Sequence, residues 1–214
     1  VDIPAKVTGG PAYVQDMRLP GMLHARVIRP PSWFATLKNI DTASIKAMPG
    51  VVAVIRDGNF LAVAAEKEFQ TVQAMRALTD LAEWEETPRL PNEQDLPAVL
   101  QKSESEQGVV AEAGGDFTGG VKTFSAQFMR PYQMHASIGS SCSVAHLDNG
   151  TMTVWTHTQG VYPDRKAIAQ MLGMPLDKVR CIHTEGSGCY GHNGADDAAG
   201  DAALIARALP GRPA

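Results

Sequence analysis

Apolar and polar residues alternate with a period of two over 21–28, where Leu23, Ala25 and Val27 oppose His24 and Arg26. That spacing predicts a half-buried strand, stopped by Arg29-Pro30-Pro31. The stretch before it is broken by Pro4, Gly9, Gly10, Pro11 and Pro20 and reads as an extended arm that must lie on something to be ordered. Asp41 stands before Ile45 and Met48 at helical spacing and predicts a short capped helix ended by Pro49-Gly50. Two apolar runs, Val51 to Ile55 and Phe60 to Ala65, flank Arg56-Asp57-Gly58-Asn59 and predict a hairpin. The stripe Phe69, Val72, Met75, Ala77, Leu78 predicts a helix over 68–81, followed by a short strand over 82–86.

Periodicity fades over 87–120, which is acidic and then glycine-rich, with a helix expected near 92–102. Strand patterns return at Val121 to Phe128, Ala136 to Ala145 and Met152 to Thr158, with Asn149-Gly150 as the turn between the last two. After Gln159-Gly160, residues 163–172 read as a helix that has Pro163 in its first turn and Gly173 just past its end. Lys178 to His183 then forms a strand that enters a glycine-rich turn, Gly186 to Gly194, and leaves as an alanine-rich helix. The expected fold is α+β: a first unit over 1–86, a connector over 87–120 and a second unit over 121–214.

Composition narrows the partners. The 214 residues carry a formal net charge of -4 and 20% charged residues, which removes the electrostatic basis for nucleic-acid binding. No apolar run reaches the roughly 20 residues of a membrane span, and no charged segment followed by an apolar one opens the chain, so neither a span nor an export leader is expected. Three cysteines, Cys142, Cys181 and Cys189, do not make a disulfide framework.

Four chemical readings compete at the glycine turn. Gly186, Gly188 and Gly191 spell the G-x-G-x-x-G of a dinucleotide fold, but Asp196 and Asp197 in the next helical turn would repel a pyrophosphate, and no second strand with its acidic residue follows in these residues. Cys181, His183, Cys189 and His192 supply four donors suited to zinc, although their spacing matches none of the usual paired signatures. Ser187 or Cys189 could act as a nucleophile with a histidine, but the G-x-S-x-G elbow is missing. Finally, the turn and the Thr158-Gln159-Gly160 bend could present backbone amides and a carboxamide to a large polar cofactor.

Longer blocks of sequence carry a resemblance. DIPAKVTGGPAYVQDMRLPGMLHARVIRPP (2–31) and DTASIKAMPGVVAV (41–54) come first; PYQMHASIGSSCSVA (131–145), HTQGVYPDRKAIAQMLGMPLDKVR (157–180) and EGSGCYGHNGADDAAGDAA (185–203) follow in order. Together they resemble the molybdenum-cofactor-binding large subunit of the xanthine dehydrogenase and aldehyde oxidase family, most of all its isoquinoline 1-oxidoreductase and nicotinate dehydrogenase type. The resemblance covers essentially the whole chain and implies a hammerhead-like α/β unit followed by part of a molybdenum-cofactor-binding domain.

The family places a Thr-Gln turn beside the metal and a glycine–aromatic–glycine loop over it. Gln159 with Gly160 matches the first, and Gly188, Cys189, Tyr190 and Gly191 match the second, so these six residues are the expected cofactor contacts. The commoner family loop is Gly-Gly-Gly-Phe-Gly-Gly; here Ser187, Cys189, Tyr190 and His192 depart from it. The resemblance further implies molybdopterin cytosine dinucleotide, a small iron–sulfur partner subunit with two clusters of the 2Fe–2S type, and oxidation of an aldehyde or N-heteroaromatic small molecule with water as oxygen donor. A bacterial protein, cytoplasmic or periplasmic, is implied. The family's late catalytic glutamate has no counterpart in these residues, and nothing marks Glu185 as a substitute, so no catalytic residue is assigned and the chain alone is expected to be inactive. A non-enzymatic binding or assembly module on the same scaffold is the alternative.

Overall fold

A computed structural model describes residues 3–87, 89–112, 114, 122, 124–192 and 195–214, with the side chains of 195 and 196 also left undescribed. Parts of several expectations therefore lie outside the described residues: the first two residues of the arm, most of the glycine cluster at 114–120, Val121 and Thr123 of one expected strand, the end of the glycine turn at 193–194, and the Asp196 carboxylate. Two compact units are present: residues 1–88 with 135–214, and residues 89–134.

The first lobe of the larger unit begins with helix α1 (Ile3–Val7) and a 3-10 turn at Val14–Asp16. Strand β1 (His24–Val27) pairs antiparallel with β4 (Phe60–Ala65), which pairs antiparallel with β3 (Val51–Asp57), giving the order β1-β4-β3. Asp57 faces Phe60 across Gly58-Asn59, so the turn is two residues within the expected Arg56-Asp57-Gly58-Asn59 and the strand runs on through Asp57; Gly58 takes a φ of 59°. Strand β2 (Thr36–Asn39) pairs with β5 (Glu83–Glu85) in a separate ribbon. Helix α2 (Ala43–Lys46) is primed by Asp41, whose Oδ1 accepts the Ala43 N–H at 2.9 Å.

Helix α3 (Glu68–Leu81) covers that sheet; of the expected stripe Leu78 is buried and Met75 and Ala77 pack half-buried against the core, while Thr71 and Ala74 join the buried face and Phe69 is exposed. Thr71 can be buried because its hydroxyl donates to the Glu68 carbonyl at 2.5 Å, so no polar group is stranded. Ile28, Leu37, Ile45, Leu61, Val63, Ala74 and Leu78 form the core of this lobe.

The second lobe is built on β6 (Ser143–Asp148), β7 (Thr151–Thr156) and β8 (Val179–His183), in that order. β6 and β7 are antiparallel, joined by Asn149 and Gly150 with φ of 47° and 75°, the left-handed pair that a tight hairpin turn demands. β7 and β8 are parallel, so the chain must cross over between them, and helix α5 (Val161–Leu172) does so. Gly173 ends α5 with a φ of 64°.

Helix α6 (Ala195–Ala208) packs on β6 and β7 through Ala199, Ala202, Ala203 and Ala206, which join Ala145, Met152, Val154, Ile168 and Val179 in the second core. Its Ile205 turns the other way and meets Ile55 and Ala62 of the first lobe.

Two expected strands differ. β6 starts at Ser143, not Ala136, because Ala136 adopts a φ of 49° and breaks the extended run. In the smaller unit, residues 124–130 have no regular structure and Phe124 and Phe128 lie exposed, since among the described residues no neighbouring strand accepts their ladder bonds. That unit holds helix α4 (Leu96–Lys102), shorter than expected at its start.

Candidate functional site

The end of β7 delivers Thr156, His157 and Thr158 into a buried position before the chain turns into α5. Thr158 Oγ1 accepts the Gly160 N–H at 3.1 Å, which folds the bend and leaves Gln159 on its outside. From there the Gln159 carboxamide donates through Nε2 to the Gly191 carbonyl at 2.9 Å. The two segments that stood out in the sequence therefore meet.

Residues 135–140, of which 136–140 fall in an expected strand, instead form a strap that bonds the glycine loop. Ser137 Oγ donates to the Gly188 carbonyl at 3.2 Å, and Ser187 Oγ donates to the carbonyls of Gly139 at 2.9 Å and Ser140 at 3.2 Å. His135 Nδ1 accepts the His192 N–H at 3.1 Å. Cys189 Sγ donates to the Gly191 carbonyl at 3.0 Å, so that oxygen takes two donors at once.

Several loop positions have no room for a side chain. A Cβ at Gly186 would stand 2.2 Å from the His157 ring, one at Gly139 would stand 2.5 Å from Ser187, and one at Gly191 would stand 2.3 Å from the His135 ring. Gly188 and Gly191 also adopt φ of 115° and 138°, a region open to glycine. Among the described residues, the N–H groups of Cys189, Tyr190 and Gly191 donate to no acceptor. With Tyr190 half-exposed, the bend offers main-chain donors at an open surface.

The N-terminal arm supports this loop. Val14 is buried and donates its N–H to the Glu185 carbonyl at 2.7 Å, while Gln15 Nε2 donates to the Ser140 carbonyl at 3.2 Å. Lys6 pairs with the Glu185 carboxylate, so that acid serves the arm.

The zinc reading does not survive this geometry. Among the described residues no three His, Cys, Asp or Glu side chains come close enough to hold a metal. Cys181 packs against the alanine-rich core, and burial, then the Asp164 carboxylate, push its thiol up to about 12 against the opposing pull of Arg165. His183 lies exposed farther along β8, and the Cys189 thiol donates to the Gly191 carbonyl. The nucleophile reading loses Ser187 for a similar reason: its hydroxyl proton goes to main-chain carbonyls and not to an imidazole.

A cavity of about 940 Å³ lies beside this site, between the arm at 13–18, β1, α6 and the loops 139–144 and 186–188. Of the six expected contacts only Gly188 lines it; Gln159, Gly160, Cys189, Tyr190 and Gly191 do not. The three main-chain donors of the bend lie outside this cavity, which is lined instead by Ser143 and Gln15, whose Oγ and Oε1 have no partner among the described residues. No local pattern marked His135, Ser137 or His157 as site residues. His135 and Ser137 act through partners 57 and 51 positions away, and His157 through the packing of its ring on Gly186. Only HTQG and the block 131–145 hinted at them.

Comparison with known proteins agrees with this architecture. The family model described as the aldehyde oxidase and xanthine dehydrogenase a/b hammerhead domain matches residues 8–80, and that described as the molybdopterin cofactor-binding domain matches 99–214. The chain belongs to the molybdopterin-binding large-subunit family of the aldehyde oxidases and xanthine dehydrogenases.

A subunit of the nicotinate dehydrogenase of Pseudomonas putida is 40% identical over 98% of this chain, and the beta subunit of isoquinoline 1-oxidoreductase of Brevundimonas diminuta is 28% identical over 97%. The chain spans only 18% and 28% of those two relatives. In fold it is similar to the aldehyde oxidoreductase of Desulfovibrio gigas, with a TM-score of 0.72 at 21% identity over 99% of this chain and 29% of that one. Quinoline 2-oxidoreductase from Pseudomonas putida gives a TM-score of 0.70 at 20% identity, over 99% and 33%. Among the described residues no helix is long and apolar enough to cross a membrane.

Proposed function

We propose that this chain is the hammerhead unit and the first part of the molybdenum-binding domain of a larger bacterial oxidoreductase subunit. That protein oxidises an aldehyde or an N-heteroaromatic compound with water as oxygen donor. The observation that carries the reading is the contact of Gln159 with Gly191 beside three main-chain N–H groups that have no described acceptor. A surface of fixed amide donors with a carboxamide at its edge fits an anionic, oxygen-rich ligand, because such donors cost no reorganisation when the charge arrives.

The division into 1–86, a connector over 87–120 and 121–214 is part of this proposal; the family match over 8–80 supports the first unit, while the match over 99–214 begins inside the connector. The pterin is proposed to be the cytosine dinucleotide, and a small iron–sulfur subunit with two 2Fe–2S clusters is the proposed electron acceptor. When bound, the molybdenum centre would supply the two-electron redox chemistry.

This chain's residues would do the holding. The Gly188, Cys189, Tyr190 and Gly191 backbone would approach closely because Gly188 and Gly191 put no side chain in the way, and Gln159 would fix the bend through the Gly191 carbonyl while its Oε1 remains an acceptor. The Gly160 N–H bonds Thr158 Oγ1 and so shapes the bend that presents Gln159. No residue here is assigned a proton-transfer role.

Two measurements test the reading. In the full-length protein, Gln159→Leu is expected to lower bound molybdenum several-fold, and full occupancy in that variant would remove the basis of the proposal. The purified 214-residue chain should turn over neither nicotinate nor a simple aldehyde with an added electron acceptor; steady turnover would show that catalysis needs nothing beyond these residues.

A further inference from the structure

His135 is exposed, and nothing in its own neighbourhood of sequence requires a histidine, yet it makes two independent contacts with the bend. Its Nδ1 accepts the His192 N–H at 3.1 Å, and its ring fills the space that a side chain at 191 would occupy, 2.3 Å from that ideal Cβ. The next residue, Ala136, stands in the left-handed region with a φ of 49°, a conformation that costs an alanine about 1–2 kcal/mol. Strain of this kind persists where surrounding contacts over-determine it, and here it lies between His135 and Ser137, both of which bond the glycine loop.

We propose that His135 is the positioning residue of the Cys189-Tyr190-Gly191 bend, a latch that fixes the bend's main-chain donors before any ligand arrives. This rests on the reading of the bend as the cofactor-contacting loop. The mechanism is one of commitment. Gln159 and Cys189 donate to the Gly191 carbonyl, so the oxygen side of that peptide is tied down. The following amide, His192 N–H, is tied by the imidazole. The Gly191 carbonyl and the His192 N–H are the two ends of one peptide, and Ser137 holds the Gly188 carbonyl of the peptide that carries the Cys189 N–H; on that peptide and the two that follow it, the N–H groups of Cys189, Tyr190 and Gly191 stay without a described acceptor.

An Nδ1 that accepts a backbone N–H carries no proton, so the latch needs the Nε2–H tautomer. It also needs an acceptor at that position of the side chain, which an asparagine Oδ1 supplies and a leucine does not.

The test uses the 214-residue chain and does not depend on the cofactor. Nitrogen-15 spectra of the imidazole should show His135 protonated at Nε2. Amide exchange at His192 should be about tenfold faster in His135→Leu than in the wild type, and His135→Asn should restore most of the protection. Because His135 is exposed, neither substitution removes core, and melting temperature is followed in parallel. Proton occupancy at Nδ1, or unchanged exchange in His135→Leu, would overturn the latch. Should His135→Leu fail to fold, the tautomer decides alone.

Molybdenum retention in the full-length protein separates the two ideas. Loss of metal in Gln159→Leu with full retention in His135→Leu sinks the latch and keeps the functional reading. Loss in both, with recovery in His135→Asn, supports both. Retention in both variants ends both.

Discussion

The Gln159 carboxamide reaches the Gly191 carbonyl at 2.9 Å across 32 positions of sequence. This bond joins the exit of β7 to the far side of the glycine loop, and it fixes how the loop responds to substitution.

The two glycines that face histidine rings should not respond alike. At Gly186 a methyl group would meet His157, a ring only 5% exposed that has nowhere to go, so Gly186→Ala is expected to cost about 1–3 kcal/mol of overpacking. At Gly191 the His135 ring can swing into solvent, which leaves a backbone penalty of about 1–3 kcal/mol, carried by the loop and not by the fold. Urea denaturation should place the larger global loss at Gly186→Ala, and amide exchange should place the larger local loosening at Gly191→Ala. Equal global losses would contradict the difference in ring burial.

Alkaline pH should weaken the fold through its thiols. Burial raises Cys181 to about 12 from an ordinary value near 9 and raises Cys142 in the same direction, so the native state keeps protons that the unfolded chain releases. The Cys181 contribution is intact below about pH 9 and is lost progressively as pH climbs from there towards about 12. Replacing Cys181 by alanine should flatten part of that decline, as read from melting temperature against pH. At pH 8, alkylation should label exposed Cys189 first and Cys181 last. Early labelling of Cys181 in the folded chain would contradict its packing against the second core.

The alanine face of α6 should resist enlargement. Ala203 is fully buried against β6 and β7, where the helix sits close because its side chains are small. Ala203→Leu is expected to destabilise by about 1–3 kcal/mol, a loss of roughly 2–4 °C in melting temperature for each kcal/mol in a chain of this size. Ala208→Leu at the end of the same helix serves as the comparison and should cost less than half as much.

Zinc should bind the dialysed chain only substoichiometrically. Cys181 keeps its proton and faces apolar neighbours, the Cys189 thiol bonds the Gly191 carbonyl, and among the described residues no three candidate ligands cluster. One tightly held zinc per chain, lost on replacing Cys181 and His192 together, would require a rearranged loop.

Strand and turn chemistry is legible wherever it is local. Asn149-Gly150, Gly58-Asn59, Gly173 and Asp41 each do what their residue types dictate within a few positions. Segment 136–142 belongs to the strand expected over 136–145, whereas Ala136 turns backwards and the following residues bond a loop about fifty positions away. No local pattern records such a contact. The α3 stripe shifts for a related reason: a threonine that bonds its own helix can be buried, and hydrophobicity alone ranks Phe69 above it. Gln159 and Tyr190 stand out in the sequence by resemblance alone, whereas the His135 contact with the bend appears only in the folded chain.

Ile205 leaves the alanine row of α6 to rest against Ile55 and Ala62. One helix therefore serves both lobes, and cutting the chain between the two family matches to swap one half for a relative's would uncover an isoleucine on one piece and a dimple on the other. Grafts that keep residue 205 matched to its two apolar neighbours should survive; grafts that trade either side alone should aggregate.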